Sequence, residues 1–470
     1  MFVTIPFETT LETPKRTMVL TLVVVLLADA MDLIDATISN VAAPSLTADL
    51  GAGPGLITWL GASYALALGS LLVLGGRLGD RFGQRRTFLT GLTGFVLASA
   101  AAGLALGPEM LIGARVAQGA FGALLIPQGM AIITSTFPKD ALRKAYGLFG
   151  PMLGIFAVAG PLLGGVLIDA DLFGLAWRPI FLINIVVGGV ALALAFRYLP
   201  TVEPDRTARI DLVAGGLLAT SLFSLLFGLI TGAEHGWDAL SITATALGAA
   251  LFAAFCRRQT RSDQPLLARS LLSNRGFTSG LVMGLLVFAA FSGLMYVISL
   301  FFQLGLGYSP TTTSLNLIPL TVGIMAGSGV STALVPKLGR KMVVAGLLTT
   351  LAGTAFLLLV VNAEATWWHN AIATTVIGLG AGICFSTIFT FALGDVEPHE
   401  AGAASGSLSA VQQVANGIGS ATVTSVFLAT TTAAGTTTAM TTTLLTVGVV
   451  ILACLAAVPL LPHTAAADHH

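Results

Sequence analysis

The chain has 470 residues, of which 55% are hydrophobic and 9% charged, and its acidic and basic residues balance at 22 each. Soluble globular chains carry about 25% charged residues, so this composition excludes a soluble enzyme or binding module and points to an integral membrane protein. A net charge of zero gives no argument for a nucleic-acid partner, because the charges are segregated by loop.

Taken in chain order, apolar runs long enough to span a bilayer predict fourteen helices, at about 17–41, 55–75, 86–107, 109–134, 146–169, 178–199, 211–231, 239–256, 276–303, 312–335, 341–361, 369–392, 405–430 and 437–460. Lys15 and Arg16 precede a full-length first span with no small-residue cleavage site, so that span is expected to stay. If both termini are cytoplasmic, every basic residue except Arg115 and Arg178 falls at the cytoplasmic end, as the positive-inside rule asks. These include Arg77, Arg81, Arg85, Arg86, Lys139, Arg143, Lys144, Arg206, Arg209, Arg340 and Lys341. The opposite loops carry Asp49, Glu109, Asp169, Asp171, Glu234, Asp238 and Glu364.

The first span holds Asp29, Asp32 and Asp35 at i, i+3 and i+6, which places all three on one broad helical face. Each costs about 2.5–3.5 kcal/mol at a helix centre, so that face must look into the bundle or into water. Carboxylates held there are candidates to bind protons as a coupled set, or to attract a cation. Arg115, always charged, is one partner for three acids. After the second span, Gly76–Arg86 forms a basic loop whose glycines allow tight turning and whose Asp80 suits a helix N-cap. A weaker echo, Val335-Pro336-Lys337-Leu338-Gly339-Arg340-Lys341, follows the second span of the later half. Gly160-Pro161-Leu162-Leu163-Gly164-Gly165 permits bending or close approach in span five.

The Arg-rich segment 257–275 separates spans 1–8 from 9–14, and spans seven and eight read as an inserted pair. The expected division is a tail (1–16), a six-helix bundle (17–199), two linker helices with basic loops (200–275), a second six-helix bundle (276–462) and a tail (463–470) ending like a purification tag. Cys256, Cys384 and Cys454 show no metal or redox spacing and are expected to be buried, inert thiols. Gly378-Leu379-Gly380-Ala381-Gly382 lacks the Lys or Ser of a phosphate loop. No nucleotide, metal or other cofactor is expected, and no catalytic constellation. Trp367 and Trp368, with His369, suit an interfacial belt. Aromatic and amide residues within spans are the pocket candidates: Trp59, Tyr64, Gln118, Gln128, Phe156, Asn184, Tyr296, Phe301, Gln303, Phe385, Phe389, Gln412 and Asn416.

Together these residues resemble the 14-span drug:proton antiporters of the major facilitator superfamily, of the quaternary-ammonium or multidrug exporter type. Ile34-Asp35-Ala36-Thr37-Ile38-Ser39-Asn40-Val41-Ala42-Ala43-Pro44 is similar to that family's first-span signature, and Gly76–Arg86 to the loop motif between spans two and three. Leu111–Gly119 is similar to the span-four motif and Gly160–Gly165 to the span-five antiporter motif. Trp177-Arg178-x-x-Phe181-x-x-Asn184 and Gln303-x-x-x-Gly307-Tyr308-Ser309-Pro310 add to the likeness. Phe156 stands where that motif has a glycine, Gln84 replaces a basic residue, and Asp29 and Asp32 are extra to the pattern. The resemblance implies an all-α fold of two pseudo-symmetric six-helix halves, arranged 6+2+6. It also implies a plasma-membrane exporter, working as a monomer in the lipid bilayer, that exchanges lipophilic cations for protons. Asp35 would be the main coupling acid, with Arg115 biasing its protonation. Gly76, Gly79, Asp80, Arg81, Gly83 and Arg85 would latch the halves, and Gly160, Pro161, Gly164 and Gly165 would bend or seal span five. Alternatives are a dedicated exporter of one neutral or anionic natural product, a proton-symport importer, or a receptor on the same scaffold.

Overall fold

A computed structural model describes residues 15–138, 155–156, 159–201, 211–235, 237–262, 265, 269–361, 367–394, 396 and 401–463. Lys139, Arg143, Lys144, Arg206, Arg209 and Glu364, the start of the fifth expected span and most of both tails lie outside the described residues. All described elements are helical. In a bilayer this is the solution in which every backbone N–H and C=O is satisfied within its own segment.

The first six helices are α1 (Lys15–Asp49), α2 (Gly55–Phe82), α3 (Gln84–Gly103), α4 (Pro108–Thr136), α5 (Ala159–Asp169) and α6 (Pro179–Tyr198). Next come α7 (Leu212–His235), α8 (Ala239–Arg261) and the short α9 (Arg269–Ser273). The rest are α10 (Arg275–Leu300), α11 (Pro310–Leu338), α12 (Lys341–Val361), α13 (Trp367–Gly394), α14 (Ala401–Ala434) and α15 (Thr436–Ala457). By length and composition, 11 of these are long and apolar enough to cross a membrane.

Starts and stops follow local chemistry. Pro108, Pro179 and Pro310 open their helices where the missing N–H costs nothing. Asp238, Asn274 and Ser309 cap α8, α10 and α11 by accepting from the backbone N–H groups of Ser241, Phe277 and Thr312, three residues on. After α10 the helix widens into a five-residue π turn, Phe301–Gly305. Arg258 pairs with Asp211 across the ends of α7 and α8.

Several boundaries differ from the apolar runs. α1 continues past residue 41 to Asp49, through Pro44, because Leu46 is buried against the core. The segment expected as a loop, Gly76–Arg86, is mostly helix: α2 runs to Phe82 and only Gly83 (φ 97°) breaks it from α3. Gly83, with no side-chain cap, is therefore the N-cap of α3, and Asp80 lies in the last turn of α2. The echo in the later half is built alike, with Gly339 (φ 53°) turning α11 into α12. A charge-rich helix end escapes an apolar-run count because hydropathy, unlike hydrogen bonding, stops at the bilayer. Cys384 and Cys454 are buried as expected, but Cys256 is exposed on the outer side of α8, a helix with few buried residues.

Helices α1–α6 pack among themselves, and so do α10–α15, with α2 on α4 and α11 on α13 as major contacts. The two groups meet chiefly along α2 and α14, and α7 packs against both of those helices and on α8. Close approach along this seam depends on glycine: a Cβ at Gly69 would lie 2.8 Å from the Val414 backbone N. The end of the bundle where α1 begins, rich in Arg and Lys, is called the basic end below, and the other the far end. At the far end hydrogen bonds join the groups: Tyr296 Oη to Ile57 O (2.6 Å), Gln303 Nε2 to Val41 O (3.0 Å), Ser314 Oγ to Pro161 O (2.6 Å) and Thr311 N to Asp169 Oδ2 (3.0 Å).

Candidate substrate and proton site

α1 carries its acids inward, and the bundle treats each differently. Asp35 is fully buried and ion-paired with Arg115 of α4. Its Oδ1 also accepts from Gln118 Nε2 (3.0 Å) and from Asn184 Nδ2 of α6 (2.7 Å). Ser99 Oγ of α3 accepts from the same two amides, at 2.7 Å and 3.1 Å, so four helices converge on one carboxylate. A buried carboxylate needs charge and donors together, and Asp35 has both.

Asp32, one turn nearer the basic end, is 8% exposed and accepts a hydrogen bond from the phenol of Tyr64 on α2. Gly122 of α4 leaves room beside it: a Cβ there would sit 3.3 Å from Asp32 Oδ1. Tyr64 also presents its ring to the Arg115 guanidinium, 4.5 Å from the centroid, a cation–π contact that orders the arginine. Asp29, a further turn on, is half-buried. The face thus grades from a fully neutralised acid to two acids for which Arg115 supplies no pair.

The other bundle carries an aromatic cluster. Phe288 and Phe291 of α10 meet Phe385 of α13 edge-on, at centroid distances of 4.9 Å and 5.0 Å, and Phe389 lies 6.1 Å from Phe288. Phe385 and Phe389 are half-buried, as are Gln412 and Asn416 on α14. Among the described residues, the buried charged side chains are Asp32, Asp35 and Arg115.

Other sequence candidates fall elsewhere. Tyr296 and Gln303 belong to the far-end seam, and Phe301 is buried in the π turn beside them. Gln128 is wedged between α4 and α2, donating to Gly75 O at 2.9 Å. Trp59 faces α7, 6.2 Å from the Phe227 ring. Phe156 is half-buried. Trp367 and Trp368 stack, exposed, at 3.8 Å.

In the expected latch, Gly79 lies against Gln128 and Gly76 near Pro127. Arg81 sits 5.7 Å from the Phe82 ring, Asp80 is exposed, and Arg85 donates to Phe196 O of α6 at 2.7 Å. In the span-five motif, Gly160 and Gly164 pack on Thr37 and Ile38 of α1. Gly165 packs on the first residues of α11, where a Cβ would lie 2.7 Å from Pro310 O, and the Pro161 carbonyl accepts from Ser314. The motif therefore sits where α1, α5 and α11 meet.

Sequence reasoning missed Ser99 and the inter-bundle role of Asp169, and it named Phe181 only within a motif and not as a neighbour of Arg115, whose guanidinium lies 5.9 Å from its ring. Ser99 lies in an Ala-rich stretch with no signal of its own. The charge of Asp169 was visible, but its partner is a backbone N–H, which no sequence pattern marks.

Comparison with known proteins gives a consistent picture. Residues 25–420 match the family described as Major Facilitator Superfamily. A Streptomyces coelicolor protein described as "Probable actinorhodin transporter" is 40% identical over 412 residues, covering 86% of this chain and 71% of its own. A "Tetracenomycin C resistance and export protein" of Streptomyces glaucescens is 31% identical over 404 residues, covering 85% and 74%. Among solved structures, an auto-inhibited peptide transporter of the POT family superposes with a TM-score of 0.67 at 13% identity, covering 96% of this chain and 98% of that one. That likeness concerns the fold.

Proposed function

The chain belongs to the Major Facilitator Superfamily, and from that premise we propose that it exports lipophilic, cationic antimicrobial compounds across the plasma membrane in exchange for protons. Relatives named for antibiotic transport and resistance support the exporter class. The observation that carries proton coupling is the α1 face: carboxylates inside an apolar bundle, with one arginine committed to one of them.

In this reading Asp35 and Arg115 form a charge pair that breaks and reforms during the cycle, and protonation of Asp35 is what frees the arginine. Asp32 and Asp29, nearer the basic end, exchange protons for the cationic substrate. Tyr64 links the two stations, since it donates to Asp32 and lies under Arg115. The aromatic group on α10 and α13 receives the apolar body of the substrate. A proton entering down the membrane potential gains about 2.3 kcal/mol per 100 mV, so exchanging more than one proton per monovalent cation lets the potential contribute to export.

The layout supports a 6+2+6 reading of fourteen spans, with α7 and α8 as the added pair beside the α2–α14 seam. If the basic end is cytoplasmic, as the charge bias argues, both termini are cytoplasmic and the far-end hydrogen bonds close the extracellular side. The Gly76–Arg86 latch then engages in the opposite state. A monomer suffices for this cycle.

The test is a proteoliposome with an inside-acid gradient, following lumenal pH after adding ethidium. Wild type is expected to release protons. Asp35→Asn is expected to abolish release, and Asp32→Asn to weaken it while also weakening ethidium binding. Silence from wild type with several lipophilic cations overturns the cationic reading. One observation favours a second reading, a dedicated exporter of one neutral natural product: the two relatives above are each named for a single compound. Proton release on adding one neutral polycycle, with none for cations, would select it.

A further inference from the structure

A guanidinium keeps its charge when its partner acid takes up a proton, and a buried charge must then find another partner. The titratable and charged groups around Arg115 are Asp35 of α1, which it pairs with, Tyr64 of α2, which lies under it, and Asp32 of α1, which its charge reaches. Asp29 follows a further turn along α1 and is half-buried. Helices α3 and α6 bring the neutral Ser99, Phe181 and Asn184. Helices α10 and α11, which also touch α1, bring no buried charge among the described residues. Asp32 is therefore the buried carboxylate left for the arginine once Asp35 is neutral.

The geometry makes that move short and open. Asp32 precedes Asp35 by three residues, a shift of about 4.5 Å along the axis of α1, within the swing of a long arginine side chain. Arg115, Gly119 and Gly122 lie at i, i+4 and i+7 on one face of α4, so that row places no α4 side chain beyond the arginine. Asp32 stands at its end, with Oδ1 3.3 Å from where a Gly122 Cβ would lie. Tyr64 spans the two positions, its ring 4.5 Å from the guanidinium and its phenol donating to Asp32 Oδ1. Among the described residues Tyr64 is the one donor to Asp32, which leaves Oδ2 to accept. Arg115 has a donor to offer: its Nε is buried and has no acceptor among the described residues.

We propose that Arg115 is an internal competitor of the substrate: when a proton binds Asp35, the guanidinium moves one turn along α1 to Asp32, guided by the Tyr64 ring, and displaces the cation held there. Loss of the proton returns Arg115 to Asp35 and reopens Asp32. Proton and cation then exclude one another without sharing a carboxylate, because both act through one arginine. The proposal rests on the reading of Asp32 as a cation site and makes Arg115 a positioning residue within it.

Thermal unfolding of the full chain in detergent at neutral pH tests the exchange without ligand or transport, with Asp35→Asn standing for the protonated state. Asp32→Asn is expected to change the unfolding temperature little on its own, since Asn still accepts from Tyr64. In the Asp35→Asn background it is expected to lower that temperature sharply, because it removes the second partner of the arginine. Adding Arg115→Met is expected to abolish this dependence on background. An equal effect of Asp32→Asn in both backgrounds would overturn the proposal. Ethidium binding gives a second reading in variants that keep Asp32. Asp35→Asn is expected to weaken it about tenfold, as the open form of Asp32 becomes the minor one, and Asp35→Asn/Arg115→Met to restore it. A loss that Arg115→Met does not restore would also overturn the exchange. Absence of ethidium binding by wild type would instead sink the cation reading, and the unfolding comparison would still decide whether Arg115 changes partner.

Discussion

The two bundles share a layout and divide the chemistry. In the first, Asp32, Asp35 and Arg115 are buried among Tyr64, Ser99, Gln118 and Asn184. In the second, Phe288, Phe291, Phe385 and Phe389 cluster, and among the described residues no buried charge appears there. The scaffold is thus chemically asymmetric, with the buried charge in one bundle and the phenylalanine cluster in the other. Substitutions in the first bundle should change how the protein responds to protons, and substitutions in the second should change what it holds.

The largest expected effect comes from stranding a buried charge. Arg115→Met removes the charge partner of the buried Asp35, a change that costs about 3–5 kcal/mol. Thermal unfolding in detergent should fall sharply, and Arg115→Met/Asp35→Asn should recover most of the loss. Equal destabilisation by the single and double variants would show that the pair is not what holds α1 to α4.

Next is the aromatic cluster. Fully buried Phe→Ala changes cost about 3–5 kcal/mol, and Phe385 is only half-buried, so Phe385→Ala should cost about 2–3 kcal/mol. Its functional signature should be a raised KM for export with the pH dependence kept. Asp32→Asn should do the reverse, flattening the pH dependence more than it raises KM. If Phe385→Ala altered the pH profile, the division between the bundles would be wrong.

The sequence disclosed one side of this contrast better than the other. Three carboxylates in an apolar run advertise themselves, because a bilayer tolerates them only for cause. Residue spacing alone did not say which acid meets Arg115, and only the family resemblance pointed to Asp35, since α1 and α4 are joined only by tertiary packing: Asp35 lies 80 residues from Arg115 and 149 from Asn184. The phenylalanine cluster was half legible. Phe385 and Phe389 are one turn apart on α13, but 26 phenylalanines in an apolar chain leave Phe288 and Phe291 unmarked. The helices were legible as apolar runs, and their charged ends were not, which is why Gly76–Phe82 read as loop. Cys256 read as buried because its neighbours are apolar, although on α8 apolar residues also face outward.

The seam tests whether the bundles move as units. Gly165→Ala would place a Cβ 2.7 Å from Pro310 O and Thr311 Cα, backbone that has no rotamer to yield. Overpacking of this kind costs about 1–3 kcal/mol and should wedge the far end open. Spin labels at exposed Gly53 and Thr432, in a Cys256→Ser background, should report a longer distance. Thermal melting of the acid network should be nearly unchanged. An unchanged distance would mean that α5 and α11 do not set the far-end closure.

The smallest effect isolates one charge in that closure. Asp169 accepts from Thr311 N, at the N-terminus of α11, so the carboxylate of one bundle meets the positive end of a helix in the other. Asp169→Asn keeps an acceptor for that N–H and removes only the charge, while Asp169→Ala removes both. A charge at a helix terminus contributes about 0.3–1 kcal/mol, which shifts a two-state equilibrium by a factor of about two to five. The same spin-label pair should show a modest gain of the open population in Asp169→Asn and a larger one in Asp169→Ala. Added salt should reduce the difference between wild type and Asp169→Asn, because Asp169 is exposed and its field is screened. A salt-insensitive difference would assign this far-end contact to hydrogen bonding alone.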